Sequence, residues 1–480
     1  MKIIFIEPPN SEEGNISRFY GAFGTSKADF IWPPLELMSI AGYLKKFSDI
    51  KTIIFDAGGL KKNLDDVKAM IEKERPDMVV FSTSTTAIYS DILVAETTKK
   101  VSGDIITVAV GTHVMALPEE TLKLNKNLDI VVYGDDEEII VKNLAYCKKD
   151  FSQVLGICYR STDGTIRRTA PNEVTPNLDD LGMPAHDQIP KDIYHDFMTQ
   201  KGPLALVMAQ RGCINRCMFC ICPVLYKYRE RSVGHVIKEL KWIKSLGYRE
   251  FKFINAGITY NMDWTNALMD EMIKNNFGLS WWTNVRADRL NDEILIKMKR
   301  AGCHTLAIGL ESADPTILQN IGKNITPGKV KAAIAMAKKI GLKTAIYCIM
   351  GLPGENRETI QKTIDFVKNS GADFTTMGVA QPLPGTGFFK YLDEKGWIST
   401  KDWSKYDPVQ LPVYQYPHLS AQEILEGARR GYRQFYLRPG YLLKRICQIR
   451  SWNDFKNGFR NFLLLWQRYV LKPRVPPIRR

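Results

Sequence analysis

Three closely spaced cysteines have the pattern of a metal or cluster site. Cys213, Cys217 and Cys220 form a Cys-x3-Cys-x2-Cys segment directly after an apolar run. Thiolates at this spacing on one loop can each bind a different iron of a [4Fe–4S] cluster, which leaves the fourth iron open to a substrate or cofactor. The alternative is a zinc site completed by Cys222 or a distant histidine, but structural zinc sites prefer paired Cys-x2-Cys units.

The cysteine segment, with an aromatic residue before its last cysteine, resembles the signature of the radical S-adenosylmethionine enzymes. In that family the open iron binds the amino and carboxylate groups of S-adenosylmethionine. One electron from an external reductant then releases a 5′-deoxyadenosyl radical. The resemblance therefore implies two cofactors, a [4Fe–4S] cluster and S-adenosylmethionine.

Three later segments resemble the family in the same order along the chain. Residues 282–286 are similar to the strand whose arginine approaches the cofactor carboxylate, residues 307–312 to the ribose-contacting strand, and residues 349–355 to the turn beside the adenine. The cofactor-binding residues that this resemblance implies are Arg286, Gly309, Glu311, Ser312, Gly351 and Pro353. Residues 253–259 depart from the family, because many relatives carry acids there and this chain has Asn255 instead.

The elements that must position these residues form one α/β series. Apolar runs at residues 204–210, 250–255, 279–284, 304–311, 343–350 and 374–380 alternate with helical patterns. Six strand–helix units are too few for a closed eight-stranded barrel. They predict a partial (β/α)6 TIM barrel over residues 201–400, with its chemistry at the carboxyl ends of the strands.

An earlier α/β series occupies residues 1–150. Strands predicted at 2–7, 52–56, 77–83, 105–110 and 129–134 alternate with helices, which indicates a doubly wound, Rossmann-like parallel sheet. Ligands of such sheets bind at the carboxyl ends of the strands, and no Gly-x-Gly-x-x-Gly or Walker loop follows a strand here. The candidate cofactor-binding residues at those ends are Asp56, Ser82, Thr83, Gly111, His113 and Gly134.

A domain of this type before such a barrel resembles the cobalamin-binding subgroup of the family, and residues 32–37 and 134–138 are similar to segments of that subgroup. The Asp-x-His-x-x-Gly cobalt-ligand motif is absent, since no histidine follows Asp56 at the required spacing. We therefore expect cobalamin to bind base-off. His113 either faces the cobalt or, as we favour, is a hydrogen-bonding loop residue.

Composition and charge limit the class of protein to which this chain can belong. The chain has 480 residues, 45% hydrophobic and 25% charged, with nine cysteines and a net charge of +14. These values exclude disorder and a disulfide framework, and with no signal peptide or membrane span in the sequence we expect a cytoplasmic protein. Residues 151–200 are rich in proline and read as a linker, and residues 401–480 as a helical region with a basic tail.

The basic charge is concentrated in the tail, so nucleic acid is not an expected partner of the whole chain. From Arg438 to Arg480 there are eleven basic residues and one acid. The aromatic residues of the tail recur at helical spacing, at Phe455, Phe459, Phe462, Trp466 and Tyr469. Such a helix either lies at an anionic membrane surface, as a peripheral contact, or packs on the barrel.

The combined resemblance predicts a cobalamin-dependent methyltransferase. One S-adenosylmethionine would methylate the cobalamin, and a second would yield the radical that activates an unactivated carbon or phosphorus centre for methylation by methylcobalamin. The alternatives are an oxidative cyclase similar to the anaerobic magnesium-porphyrin monomethyl ester cyclase, and a cobalamin-dependent sensor that is not an enzyme. The substrate is a small molecule, a lipid or a peptide.

Overall fold

The computed structural model of the chain describes residues 1–10, 14–18, 24–25, 30–255 and 257–447. The aromatic residues of the basic tail, from Phe455 to Tyr469, lie outside these ranges. Among the described residues, no helix has the length and apolar character needed to cross a membrane.

The first domain is built on a seven-stranded sheet. Its elements, together with a small separate two-stranded sheet, are β1 (Lys2–Glu7), β2 (Ile16–Ser17), β3 (Gly24–Thr25), α1 (Leu35–Phe47), β4 (Lys51–Asp56), α2 (Leu64–Glu74), β5 (Met78–Thr83), α3 (Ile88–Asp91), α4 (Leu93–Val101), β6 (Ile106–Gly111), α5 (Thr112–Ala116), α6 (Pro118–Leu124), β7 (Ile130–Val132), α7 (Glu137–Tyr146), β8 (Ile157–Arg160) and β9 (Ile166–Arg168).

The strands of this sheet run in the order β4-β1-β5-β6-β7-β8-β9, and the first five are parallel. The strand order reverses between β1 and β5, and a crevice at such a switch point is the usual ligand site of a doubly wound sheet. Apolar side chains fill both faces of β5, which is buried at every position, because helices cover both sides. The predicted doubly wound domain is confirmed.

A hairpin extends the first sheet into the segment expected to be a linker. The antiparallel strands β8 and β9 flank the turn at Asp163 and Gly164, where Gly164 has a φ of +82°. The sheet therefore continues to Arg168.

The second domain is a six-stranded partial barrel with a short hairpin at its entrance. Its elements are β10 (Leu204–Met208), β11 (Gln210–Arg211), α8 (Cys222–Leu225), β12 (Arg229–Glu230), α9 (Val233–Ser245), β13 (Glu250–Ile254), α10 (Met262–Asn275), β14 (Ser280–Val285), α11 (Asp292–Arg300), β15 (Cys303–Glu311), α12 (Pro315–Asn320), α13 (Pro327–Ile340), β16 (Lys343–Met350), α14 (Arg357–Asn369), β17 (Phe374–Val379) and α15 (Gly387–Glu394).

The six long strands are parallel and lie in the order β10-β13-β14-β15-β16-β17, as the sequence predicts for a partial barrel. Side chains of β13 pack into two different apolar clusters. Phe251 and Phe253 belong to the apolar core that the surrounding helices share, whereas Ile254 belongs to a separate cluster with residues of the first domain. The described C-terminal elements are α16 (Ala421–Tyr436) and α17 (Pro439–Cys447), and α16 packs on β17 and α14.

Candidate functional site

The three cysteines lie on the loop that joins β11 to β12. Cys213, Cys217 and Cys220 are all partly buried there. At the base of the loop the backbone of Gly212, which has a φ of +78°, lies close to the backbone of Lys227. A Cβ atom on this glycine would lie 2.5 Å from the backbone of Lys227, so only glycine fits.

Neighbouring polar groups favour the thiolate form at two of the three cysteines. Hydrogen bonds from Cys222, Tyr260 and Asn215 lower the pKa of Cys213 to about 5, and a hydrogen bond from Cys222 lowers that of Cys220. The Tyr260 hydroxyl lies 3.3 Å from the Cys213 sulfur. Thiolates are the form that binds iron. Cys222, which the sequence suggests only as a ligand of the alternative zinc site, is buried beside two of the expected ligands.

The chemistry of the donor set is that of a cluster site, with three thiolates on one loop. A four-iron cluster binds each thiolate at a different iron, so its ligands surround the cluster and do not converge on one point. The donor set of three thiolates on one loop therefore fits a [4Fe–4S] cluster, held by Cys213, Cys217 and Cys220.

Glu311 ends β15 in a conformation that few residues other than glycine adopt, with a φ of +64°. Its buried carboxylate accepts a hydrogen bond of 2.5 Å from Lys323 Nζ. A Cβ atom at Gly309 would lie 2.5 Å from the Glu311 carboxylate and 2.7 Å from Lys323 Nζ, which explains the glycine. Lys323 is absent from the sequence prediction, because no motif marks a lysine that follows a short helix.

The turn after β16 is stabilised by hydrogen bonds with one of its own side chains and with two tyrosines of the C-terminal region. The Glu355 carboxylate accepts hydrogen bonds from the backbone N–H groups of Gly351 and Leu352, at 2.6 and 3.1 Å. The hydroxyls of Tyr414 and Tyr416 both donate to the Gly351 carbonyl, at 2.8 and 2.9 Å. Burial raises the pKa of Glu355 to about 8.

The other residues predicted in the barrel make local contacts in the described structure. The Pro353 carbonyl accepts from Asn320 at 3.0 Å, and the buried Ser312 hydroxyl lies 3.3 Å from that of Thr363. Arg286 follows β14, and its guanidinium donates to Asp288 at 3.0 Å and to the carbonyl of Asn324 at 3.2 Å.

Three buried side-chain oxygens lie near the carboxyl ends of β13 and β14, two of them in the segment that departs from the family. Asn255 Oδ1, Thr259 Oγ1 and Asn284 Oδ1 are buried near the carboxyl ends of β13 and β14, and none has a hydrogen-bond partner among the described residues. Buried oxygens without partners are costly unless a ligand satisfies them. They suit the amino group of S-adenosylmethionine, although the acids of the relatives are missing.

The switch point of the first sheet holds a buried polar network that the sequence does not reveal. Glu7, at the end of β1, accepts hydrogen bonds from Ser82 and from Arg18, which also donates to Asp91 at 2.9 Å. Glu7, Arg18 and Ser82 line a small cleft together with Asp56. Asp56 Oδ2 accepts from Tyr194 at 2.8 Å, and burial, with the nearby charge of Glu7, raises the Asp56 pKa to about 7.

Thr83, Gly111 and His113 meet at the ends of the neighbouring strands β5 and β6. The Thr83 hydroxyl donates to the Val110 carbonyl, and a Cβ atom at Gly111 would lie 2.6 Å from the Thr83 carbonyl oxygen. His113 is fully buried, and burial lowers its pKa to about 3, so its ring is neutral. Its Nδ1 lies 3.2 Å from the Thr85 hydroxyl.

Several buried polar atoms near His113 make no hydrogen bond to the described residues. The hydroxyls of Ser84, Thr86 and Thr112 and the Nε2 atom of His113 are buried, and none has a hydrogen-bond partner in the described part of the chain. This set fits the amide-rich rim of cobalamin. Asp56 lies apart from it, because β1 separates β4 from β5. Gly134 packs closely against Asn172, whose Oδ1 a Cβ atom would meet.

The two candidate cofactor sites face one another across an apolar contact. Leu35 and Met115 of the first domain form a buried cluster with Met208, Ile254 and other barrel residues. Cys213 and Cys220 pack against the same cluster. The cysteine loop and the carboxyl edge of the first sheet therefore border one region.

Comparison with known proteins matches both domains to known families. The family model of the radical SAM superfamily matches residues 207–367, and that of the B12 binding domain matches residues 22–142. An uncharacterized methyltransferase of Pyrococcus horikoshii is 32% identical over 474 residues, which cover 97% of this chain and 99% of that protein.

Two further proteins extend the comparison. An anaerobic magnesium-protoporphyrin IX monomethyl ester cyclase of Rubrivivax gelatinosus is 28% identical and covers 86% of this chain and 75% of its own length. The solved structure of the radical S-adenosylmethionine methyltransferase TsrM from Kitasatospora setae, with cobalamin and a [4Fe–4S] cluster bound, has a TM-score of 0.68 at 15% identity. It covers 97% of this chain and 88% of that chain.

Proposed function

This chain belongs to the cobalamin-dependent radical S-adenosylmethionine enzymes, and on that premise we propose that it methylates an unactivated carbon centre of a substrate with an apolar part. Its cofactors are a [4Fe–4S] cluster, S-adenosylmethionine and cobalamin, and methyl transfer is its reaction class. The observation that carries the choice of acceptor is the apolar cluster shared by the two cofactor sites.

The apolar contact between the two candidate sites favours carbon over phosphorus. Leu35, Met115, Met208 and Ile254 pack together there, and none of them carries a charge. An anionic phosphorus centre placed beside them would lose hydration without a compensating partner. Burying a C–H group carries no such desolvation cost. Its carbon has no free electron pair with which to attack a methyl donor, so its methylation requires a radical.

Each part of the site has a distinct task in this proposal. When bound, the cluster with S-adenosylmethionine supplies a carbon-centred radical and cobalamin carries the methyl group. Cys213, Cys217 and Cys220 hold the cluster, while Glu311 and Lys323 orient the ribose side of S-adenosylmethionine. The orphaned hydroxyls of Ser84 and Thr112 and the His113 ring hold the rim of cobalamin.

We place the substrate among small molecules or lipids. A peptide is less favoured, because the contact between the two candidate sites is apolar and a peptide backbone is polar. Contact of the basic tail with an anionic membrane surface would bring a lipid substrate to the enzyme, and this contact rests on the tail sequence alone. The enzyme also requires a one-electron reductant from outside the chain.

Oxidative ring formation is the second candidate activity, because of the similarity to the anaerobic cyclase. The two reactions differ in what the product gains. A methyltransferase adds a methyl group that comes from S-adenosylmethionine, whereas a cyclase removes hydrogen and adds no carbon.

The test is incubation of anaerobically reconstituted enzyme with methyl-deuterated S-adenosylmethionine, a one-electron reductant and an extract of host metabolites and lipids. We expect one extract compound to gain a deuterated methyl group, together with 5′-deoxyadenosine, and neither to form with Cys217→Ala. A product that loses hydrogen without gaining the label would replace the proposal with the cyclase. Because methyl transfer to an atom with a free electron pair does not require the radical, a labelled product without 5′-deoxyadenosine would contradict an unactivated carbon as the acceptor.

A further inference from the structure

The cysteine loop is attached at its base to the first domain by two arginines. Arg211 precedes the loop and Arg229 follows it, and they are direct register partners in the β11–β12 hairpin. Both side chains are at most 7% exposed. They point to one acidic turn, residues 135–138, which follows β7 and includes the first two residues of α7.

Arg211 forms the contacts on one side of this turn. Its Nη1 donates to Glu138 Oε2 at 3.1 Å and lies 3.4 Å from Asp136 Oδ1, while its Nη2 donates to Glu138 Oε1. This two-pronged arrangement with Glu138 fixes the orientation of the guanidinium as well as its distance.

Arg229 forms the contacts on the other side. Its Nη1 donates to Asp136 Oδ1 at 2.7 Å and to the Thr175 carbonyl at 2.8 Å, and its Nη2 donates to Asp135 Oδ1 at 2.8 Å. Asp136 thus lies between the two guanidinium groups. The turn that presents it has a φ of +60° at Asp136, a left-handed conformation that costs energy in the absence of such partners.

The loop itself adds two hydrogen bonds to the same turn. The Tyr226 hydroxyl donates to Glu137 Oε1 at 3.0 Å, and the Lys227 backbone N–H donates to Asp135 Oδ2 at 3.1 Å. All four acidic residues of the turn are therefore engaged by the loop or by the strands at its base. The turn emerges from the same edge of the sheet that carries Thr83 and Gly111, since β6 and β7 are parallel neighbours.

We propose that the acidic turn 135–138 is a latch that sets the position of the cluster relative to the cobalt, and that Arg211 and Arg229 are positioning residues for methyl transfer. The latch contacts the cysteine loop and the strands at its base. It acts by holding both ends of the cysteine loop against the domain that binds cobalamin. This inference rests on the proposed function only in so far as the two cofactors act on one substrate.

The test measures the distance between the two cofactors in the full-length enzyme without any substrate. The reduced cluster and cob(II)alamin both carry unpaired electrons, so pulsed electron paramagnetic resonance reports their separation. The variants are Arg211→Gln, Arg211→Lys and Glu138→Gln. The matched control is Arg167→Gln, which removes an arginine of the first domain whose ion pair with Asp163 is more than half exposed.

We expect one narrow distance distribution for the wild type and for Arg167→Gln. Arg211→Gln and Glu138→Gln should give a broader distribution with a longer mean. Arg211→Lys should lie between them and the wild type, because lysine keeps the charge but cannot contact Glu138 with two donors. Iron content and the cobalamin spectrum should be the same in all five proteins.

An unchanged distance distribution in Glu138→Gln and Arg211→Lys, with full iron and cobalamin content, would overturn the latch. If Arg211→Gln does not fold, those two variants decide the question. The outcome is independent of the proposed function, since a latch demonstrated by distance stands even if no extract compound is methylated.

Discussion

Lys323 Nζ lies 2.5 Å from Glu311 Oε1, and both side chains are about 10% exposed. The pair places a positive charge beside the strand end that resembles a ribose-binding segment. Without Lys323, the buried Glu311 carboxylate would lose its cationic partner, and nothing in that pair would then fix its orientation toward the ribose hydroxyls.

We therefore expect Lys323→Met to weaken S-adenosylmethionine binding about tenfold or more, since a hydrogen bond to a charged acceptor contributes about 1.5 to 3 kcal/mol and each 1.4 kcal/mol is a factor of ten. Calorimetric titration of the cluster-loaded enzyme measures the affinity. Lys362→Met is the control, because it removes an exposed lysine whose partner is Asp314. Equal affinities in the two variants would remove Glu311 and Lys323 from the cofactor site.

The cysteine loop makes a prediction with an internal control. Alanine at Cys213, Cys217 or Cys220 should abolish cleavage of S-adenosylmethionine, because a cluster with three protein ligands has no spare thiolate. Alanine at Cys222 should leave iron content and cleavage largely intact, although Cys222 contacts two of the ligands. Iron analysis and 5′-deoxyadenosine formation are the measurements, and full activity after any of the first three changes would refute the ligand assignment.

The cobalamin site makes a spectroscopic prediction. The full-length enzyme should bind cobalamin with its lower base displaced. His113→Gln should lower cobalamin retention without shifting the absorption bands, because the ring is held by Thr85 and lies edge-on to Trp403, with centroids 5.6 Å apart. A shift of the bands in the variant would identify His113 as the cobalt ligand, and a base-on spectrum of the wild type would contradict the domain assignment.

Glu355 makes the stability of the chain depend on pH. Its pKa rises from an ordinary 4.5 to about 8 in the folded state, so the folded chain keeps a proton that the unfolded chain releases. Between these two values stability falls as pH rises, by up to about 1.4 kcal/mol per pH unit.

Glu355→Gln should remove this loss, because the amide oxygen can still accept from Gly351 and Leu352 and carries no charge. Denaturant unfolding at pH 5.5 and pH 8 is the measurement. The variant should gain stability over the wild type at the higher pH, whereas the exposed Glu358→Gln should follow the wild type at both. A parallel pH dependence in Glu355→Gln would show that another group is responsible.

The basic tail is tested with anionic vesicles. The full-length protein should sediment with them at low salt and less at high salt, because the Debye length is about 8 to 10 Å at physiological ionic strength and shortens further as salt is added. Deleting residues 450–480 should abolish this binding and leave cofactor cleavage intact. Insolubility of the truncated protein, together with no vesicle binding by the full chain, would mean that the aromatic stripe packs on the barrel.

Local sequence patterns predict the positions of the long strands well. The spacing of apolar runs places β16 at residues 343–350, as the structure has it, and the other long strands shift by only a residue or two at their ends. Buried parallel strands have a strong signal, because helices cover both of their faces and each position must be apolar. The cysteine ligands are equally local, since all three lie within eight residues.

The remaining parts of the site depend on contacts between distant residues, which a single sequence does not display. Lys323 meets Glu311 only after α12 turns the chain back, and Tyr414 reaches Gly351 across more than sixty residues. Residues 134–138 resemble a segment of the cobalamin-binding subgroup. Their contact with Arg211 and Arg229 has no sequence signal, because nothing in either segment indicates which acid will pair with which arginine.

The C-terminal region returns to the first domain at Trp403, whose indole N–H donates to Glu120 and whose ring flanks His113. The barrel is therefore joined to that domain at its entry, by Arg211, and again after its exit. An engineered chimera that exchanges barrels between relatives would have to carry residues 401–420 with the barrel. Otherwise the grafted enzyme would lose both the packing beside His113 and the two tyrosines that hold Gly351, so the smallest exchangeable module is larger than the barrel itself.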